Sequence, residues 1–139
     1  MREIKFRVFD KLAKYMHVCG EDVHDEITFE IGTNRAYYFN MQNGCGSLRE
    51  DSDYVLMQYT GLKDKNGKEI YEGDIVKIVD TEYQTRHIAI IEFLEASFIL
   101  RMIKGEYAGE ALMADSWLDE EKEVIGNIYE TPELLEGGE

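Results

Sequence analysis

The strongest constraint in this sequence lies between Tyr54 and Val79, where two apolar runs of strand length are hinged on Asn66-Gly67. Asn and Gly both tolerate positive φ, so the pair is a tight-turn signal that folds one run back on the other. Gly73 interrupts the second run and reads as a bend or bulge, after which the strand resumes. The rest of the chain agrees with antiparallel β structure. Ile4, Phe6 and Val8 alternate with Lys5 and Arg7, the period of a half-buried strand. Further strands are expected at residues 15–18, 27–31, 36–39, 55–59, 86–94, 98–103 and 124–129, with Gly32-Thr33-Asn34 as a turn. Residues 41–47 are polar and glycine-rich and read as loop. Thr131 as cap, Pro132 at the first helical position and Glu133 beside the positive end of the dipole mark one helical turn. Residues 115–123 read as a second short helix. The expected fold is mainly β. It comprises an N-terminal extended β segment over residues 1–53, a soft boundary near Ser52, and a small barrel or roll over residues 54–139 that ends in a short helical turn.

A chain of 139 residues buries about two-thirds of its unfolded surface, so it folds without a metal or disulfide scaffold. Its formal charge of −14 argues against a protein that holds phosphate backbones. The acid is unevenly spread: residues 119–139 hold eight carboxylates against Lys122. The start is basic, with Arg2, Lys5, Arg7, Lys11 and Lys14 against Glu3 and Asp10. The N-terminus has no run of seven apolar residues, so no secretory leader is expected. The longest apolar stretch, residues 87–102, carries Glu92, Glu95 and Arg101 and is too short and charged to cross a bilayer. A cytoplasmic location without membrane contact is the expectation.

Chemistry-bearing residues form no recognisable constellation. His17, Cys19, His24 and Cys45 lack the paired knuckle spacing of structural zinc, and two reduced cysteines are the simpler account. Cys45 stands between glycines, but activating its thiol needs a base or cation, and His17, His24 and His87 show no such arrangement. Glu92 and Glu95 bracket Phe93-Leu94, yet among 29 acids such pairs arise by chance. No phosphate loop or dinucleotide fingerprint is present. No enzyme activity, metal or cofactor is expected. Nucleic-acid stacking by Tyr37, Tyr38 and Phe39 beside Arg35 is weakened because a strand must bury one of its faces. Lys63, Lys65 and Lys68 gather at the Asn66-Gly67 turn but are partly neutralised by Asp64 and Glu69.

Three stretches carry a family resemblance: residues 2–10, residues 58–76 from Gln58-Tyr59-Thr60-Gly61 to Gly73-Asp74-Ile75-Val76, and residues 124–135 with Gly126-Asn127-Ile128-Tyr129-Glu130. Taken in order, they resemble the YopX family of phage and prophage proteins, found chiefly in Gram-positive bacteria and their viruses. The resemblance implies an SH3-type barrel for the C-terminal half and a bacterial host cytoplasm. It implies no catalytic or binding residue. Small barrels of that type present aromatic grooves to protein partners, and Tyr59, Tyr71 and Trp117 are the candidates here, with Tyr83, Tyr107 and Tyr129 as further amphipathic rings. Asn66, Gly67 and Gly73 are assigned structural turns. The functional expectation is a non-enzymatic protein–protein interaction module with an unknown protein partner. The alternative is an acidic DNA mimic or nucleic-acid-associated regulator acting on a host protein. Residues 1–53 have too few apolar residues for an independent core, so their strands lie on the barrel, on another copy or on both, and a homo-oligomer that uses them is the expectation. Direct nucleic-acid binding is not. The purified protein should leave duplex DNA unshifted in a gel at about 150 mM salt, where the Debye length is about 8 Å; a shift at micromolar protein that weakens with added salt overturns this.

Overall fold

The computed structural model describes residues 3–19, 21, 25–30, 35–40, 44–48 and 53–136. His24, the Gly32-Thr33-Asn34 turn, the Cys45 side chain and the boundary near Ser52 lie outside the described residues. The chain is mainly β and divides into two compact units, Glu3–Gln58 and the residues from Tyr59 onward.

In the first unit, β1 (Phe6–Asp10) pairs antiparallel with β2 (Tyr15–Val18) on one side and with the start of β6 (Tyr54–Lys63) on the other. Flanked on both edges, β1 is buried from Arg7 to Asp10. The Asp10 carboxylate closes the following turn by accepting from the backbone N–H groups of Leu12 and Ala13, both at 3.0 Å. A second sheet of the unit runs β3-β4-β5. It comprises β3 (Asp25–Glu30), β4 (Arg35–Asn40) and β5 (Gly44–Ser47). Tyr38 is fully buried and stacks against His17 at 5.4 Å and Tyr54 at 5.1 Å. The expected loop at 41–47 is corrected for its described half: residues 44–47 are a strand, in register with β4. Gly46 fits there because a Cβ would strike the Tyr54 ring. The glycine serves packing against an aromatic rather than looseness.

In the second unit, β6 continues into pairing with β7 (Glu69–Tyr71). Gly61 sits at φ 89° in the register shift between them, and the Thr60 hydroxyl donates to the Ile70 carbonyl at 2.8 Å. Five antiparallel strands then form a curled half-barrel sheet in the order β11-β10-β9-β8-β12. They are β8 (Asp74–Asp80), β9 (Thr85–Leu94), β10 (Ser97–Lys104), β11 (Ala111–Met113) and β12 (Lys122–Asn127). One face of this sheet carries Val76, Ile78, Ala89, Ile91, Leu100 and Met102, packed with Ile70 into the core. Each of these side chains larger than Ala89, fully withdrawn from water, stabilises by about 1.5–3 kcal/mol. The other face carries Lys77, Arg86 and Ile88 by the alternation of the strands, and a register shift between Met102 and Lys104 brings Lys104 opposite Ile88 on that face.

Helical structure is sparse. The second short helix expected over 115–123 is corrected to a single 3₁₀ turn at Asp119–Glu121, with Leu118 and Lys122 extended on either side. The C-terminal turn is also 3₁₀, at Pro132–Leu135, and Thr131 does not cap it. The Thr131 hydroxyl bonds back to Asn127 instead, donating to its carbonyl at 3.1 Å and accepting from its N–H at 3.0 Å.

Polar turn residues tie these strands together. Asp64 Oδ1 accepts from the N–H groups of Asn66 (2.8 Å) and Lys68 (2.9 Å), closing the β6–β7 turn. Its Oδ2 accepts from Val124 of β12 at 2.9 Å, sixty residues away in sequence. Gly67, at φ 79°, supplies the left-handed residue of the turn; Asn66 keeps negative φ. Gly73, at φ 84°, turns β7 into β8, where the buried Asp74 carboxylate accepts from the Tyr71 N–H at 2.8 Å. Burial pushes the Asp64 carboxyl up, but the Val124, Lys68 and Asn66 N–H groups and the Lys68 charge outweigh it and hold the group below its ordinary value. Its stabilising contribution is therefore complete above about pH 3.9 and is lost as pH falls through the lower folded value. Asp64→Asn should cost about 3 kcal/mol at pH 7 and flatten the acid limb of the stability curve, read by circular dichroism during urea unfolding at several pH values. Parallel acid limbs in both proteins would contradict the assignment.

Candidate protein-binding site

Three segments of the second unit meet around His87. The ring of His87 is 1% exposed, and its Nε2 lies 3.1 Å from the Thr85 hydroxyl. Its Nδ1 is buried without a hydrogen-bond partner. Gly105 passes directly over that ring at φ 111°; a Cβ there would strike Nδ1 and the Arg86 carbonyl. Glycine is required on both counts. Trp117 stacks on His87 with ring centres 5.1 Å apart, and Tyr107 does so at 5.6 Å. Tyr107 and Trp117 themselves meet edge-on at 6.0 Å.

Trp117 occupies the left-handed region at φ 65°, which is uncommon for a bulky side chain. Its indole N–H donates to Asp80 Oδ2 at 3.1 Å, while Asp80 Oδ1 accepts from the N–H groups of Glu82 (2.9 Å) and Tyr83 (3.1 Å). The Tyr83 N–H, then the Trp117 indole, hold the Asp80 carboxyl below the usual carboxylate range, with smaller help from Glu82 and the His87 side. The anion thus aligns both the β8–β9 turn and the indole. Around this half-buried indole stand exposed apolar surfaces: Tyr107 at 37%, Leu118 at 62% and Tyr83 at 72%. A rigid aromatic anchor with a polar handle and an exposed apolar border is the chemistry of a protein-contact hot spot.

The sequence candidates separate. Trp117 belongs to this cluster, and Tyr107 joins it. Tyr59 and Tyr71 instead face each other across the β6–β7 ladder, 5.5 Å apart and each only 3% exposed. They pack the interior, with the Tyr71 hydroxyl donating to Glu69 at 3.3 Å. Asn66, Gly67 and Gly73 lie in the turns between β6, β7 and β8. Of the histidine and cysteine candidates, His17 is buried between Tyr15 and Tyr38, and Cys19 is half-buried at the end of β2. Among the described residues, no three His, Cys, Asp or Glu side chains gather as a cation site. Sequence reasoning finds no sign of Asp80 and offers His87 only as a base for Cys45, because residues 80, 87, 107 and 117 converge only through the strand order. The signal nearest to them was the lone tryptophan.

The two-unit β architecture and its turn residues define a family of small β proteins. The family model described as YopX protein matches residues 5–136, and the chain belongs to that family. It is 35% identical over 72 residues to the SPbeta prophage-derived uncharacterized protein YopX of Bacillus subtilis strain 168. That match covers 51% of this chain and 53% of the relative, so the match spans about half the length of the curated relative. The crystal structure of YopX from Bacillus subtilis superposes with a TM-score of 0.70 at 21% identity, covering 97% of this chain and 98% of that one. That likeness is one of fold. The crystal structure of protein EF1440 from Enterococcus faecalis gives a TM-score of 0.57 at 28% identity, covering 98% of this chain and all of that one (100%). No helix among the described residues is long and apolar enough to cross a membrane.

The protein contains a single tryptophan, so its emission reports Trp117 alone. Asp80→Ala should move that emission to longer wavelength as the indole loses its acceptor and loosens from His87. Asp80→Asn, which keeps an acceptor oxygen, should stay close to the parent spectrum. Identical spectra for all three proteins would remove Asp80 from the positioning of Trp117.

Proposed function

We propose that this chain is a non-enzymatic accessory protein of a phage or prophage that acts in the host cytoplasm by binding another protein through Trp117 and Tyr107. The observation that carries the reading is the fixed indole. It is held in an unfavourable backbone region, bonded to Asp80 and stacked on a buried histidine, with Tyr83, Tyr107 and Leu118 exposed beside it. A ring set in place before the partner arrives loses little freedom on binding. We also read the protein as a homo-oligomer. Tyr37 (37%) and Phe39 (46%) lie on the same exposed face of β4, an apolar stripe suited to a second copy.

The second reading, an acidic mimic of DNA that occupies a basic host protein, draws on the net charge of −14. Capture from a lysate of induced host cells distinguishes the two. The hot-spot reading expects a protein recovered in stoichiometric amount, lost at least tenfold with Tyr107→Ala and with Trp117→Ala, and retained at about 0.5 M salt. Mimicry expects a DNA-binding host protein, insensitive to both substitutions and released by that salt. Tyr107→Ala guards the comparison against a folding defect, since Tyr107 is the more exposed of the two rings.

A further inference from the structure

The face of the five-stranded sheet opposite the core bears a row of cations on an apolar floor. Lys77 of β8 stands opposite Ile88 of β9, and Ile88 stands opposite Lys104 of β10. Directly paired residues project from the same face, so two lysines flank one isoleucine, and Arg86 lies two residues back on the same strand face. The segment after β12 folds against these strands. Gly126 allows the approach, because a Cβ there would strike Thr131 Oγ1 and come within 2.8 Å of Leu134 Cδ1. The Asn127 carboxamide oxygen fixes the turn by accepting from the N–H groups of Tyr129 (3.0 Å) and Glu130 (2.8 Å). Between the sheet and this segment lies a cavity of about 700 Å³, walled by Ile88, Ile125 and Leu134 and by Lys77, Arg86 and Lys104.

The cations of this cavity form no ion pair among the described residues. Among the described residues, neither Lys77 nor Arg86 forms an ion pair within 4 Å, in a chain with 29 carboxylates to choose from. Glu123 stands opposite Lys77 in the β8–β12 register, yet its carboxylate pairs with Lys65 at 3.7 Å. Lys104 Nζ reaches the Glu136 backbone carbonyl at 3.3 Å rather than a carboxylate. The Glu133 and Glu136 side chains border the cavity, exposed, without pairing to any of the three cations. Clustered like charges repel and favour a bound counter-charge. The volume falls in the range of small-molecule sites, about 300–1,000 Å³, where a few polar groups orient an apolar ligand.

We propose that this cavity binds a small amphipathic anion, whose carboxylate, sulfonate or phosphate group meets Lys77, Arg86 and Lys104 while its apolar body rests on Ile88, Ile125 and Leu134. The anion neutralises the row, and its body covers aliphatic surface that the terminal segment leaves uncovered. Complementary charge selects the sign of the ligand; the floor selects against bare inorganic ions.

The test uses the full chain with 1-anilinonaphthalene-8-sulfonate as the probe. One saturable site per chain is expected, weakened at least tenfold by Arg86→Glu and by Lys77→Glu. Octanoate should displace the probe, whereas octanol and inorganic phosphate should not. Thermal unfolding followed by circular dichroism accompanies each protein; Arg86 is exposed, so its reversal is expected to keep the fold. Arg86→Gln, expected to weaken binding severalfold, serves if either reversal fails to fold. The proposal is overturned by an absence of saturable binding, by equal affinity in the parent and the folded charge variants, or by displacement with octanol as effective as with octanoate.

Discussion

The fold of the second unit depends on one buried carboxylate. Asp64 is 5% exposed and receives three backbone N–H groups, two from its own turn and one from Val124. An ionised group out of water is costly unless its lone pairs are filled, and here they are. Its second oxygen is what gives the turn a long reach. The Lys65 N–H adds a bond to the Lys122 carbonyl at 2.9 Å, so the β6–β7 turn is fastened to the start of β12 at two points. Asp74 and Asn127 repeat the device at the β7–β8 turn and at the end of β12. The most distinctive stretches of the sequence are therefore stitching. They hold turns to strand ends, and their polar character reflects backbone groups in need of partners.

Lys122 shows the opposite balance. Its side chain is 1% exposed, and Nζ donates to the Ala114 carbonyl at 3.1 Å, with Asp119 at 3.9 Å. Burial lowers its pKa, against the raising influence of Asp119, Asp115 and Glu121. Since the unfolded lysine holds its proton more tightly, the protonated group costs stability at neutral pH, and the cost is relieved as pH rises through the folded value. What it provides in return is position. The ammonium group draws the 113–121 segment, which carries Trp117, onto the sheet.

Much of this was legible in the sequence, because strands and turns are local. The alternation in Phe6–Asp10 and the glycines at 67 and 73 speak of period and φ, which need no knowledge of distant residues. Residues 44–47 were illegible for the converse reason: Gly46 looks like a breaker until the Tyr54 ring is seen to occupy the space of its Cβ. Thr131 misled in the same way, since the hydroxyl that suits a cap finds a nearer partner in Asn127. The aromatics divide on burial alone. Tyr59 and Tyr71 have the same composition signal as Trp117, but the β6–β7 register places them face to face in the interior. Register is a tertiary quantity, and single-residue character cannot supply it.

The candidate site holds Trp117 under backbone strain. A left-handed backbone costs an ordinary residue about 1–2 kcal/mol, and aromatic pairs of the kind it makes with His87 and Tyr107 return about 0.5–1.5 kcal/mol each. These terms nearly cancel, which leaves the Asp80 acceptor to decide the outcome. Arg86 and His87 are neighbours on β9; both border the cavity, and the His87 ring also carries the indole. The strand that shapes the cavity is thus the strand on which Trp117 rests. Because β9 is hydrogen-bonded on both edges, to β8 and to β10, neither face can shift without disturbing a ladder. That rigidity lets a half-buried tryptophan hold an unfavourable φ.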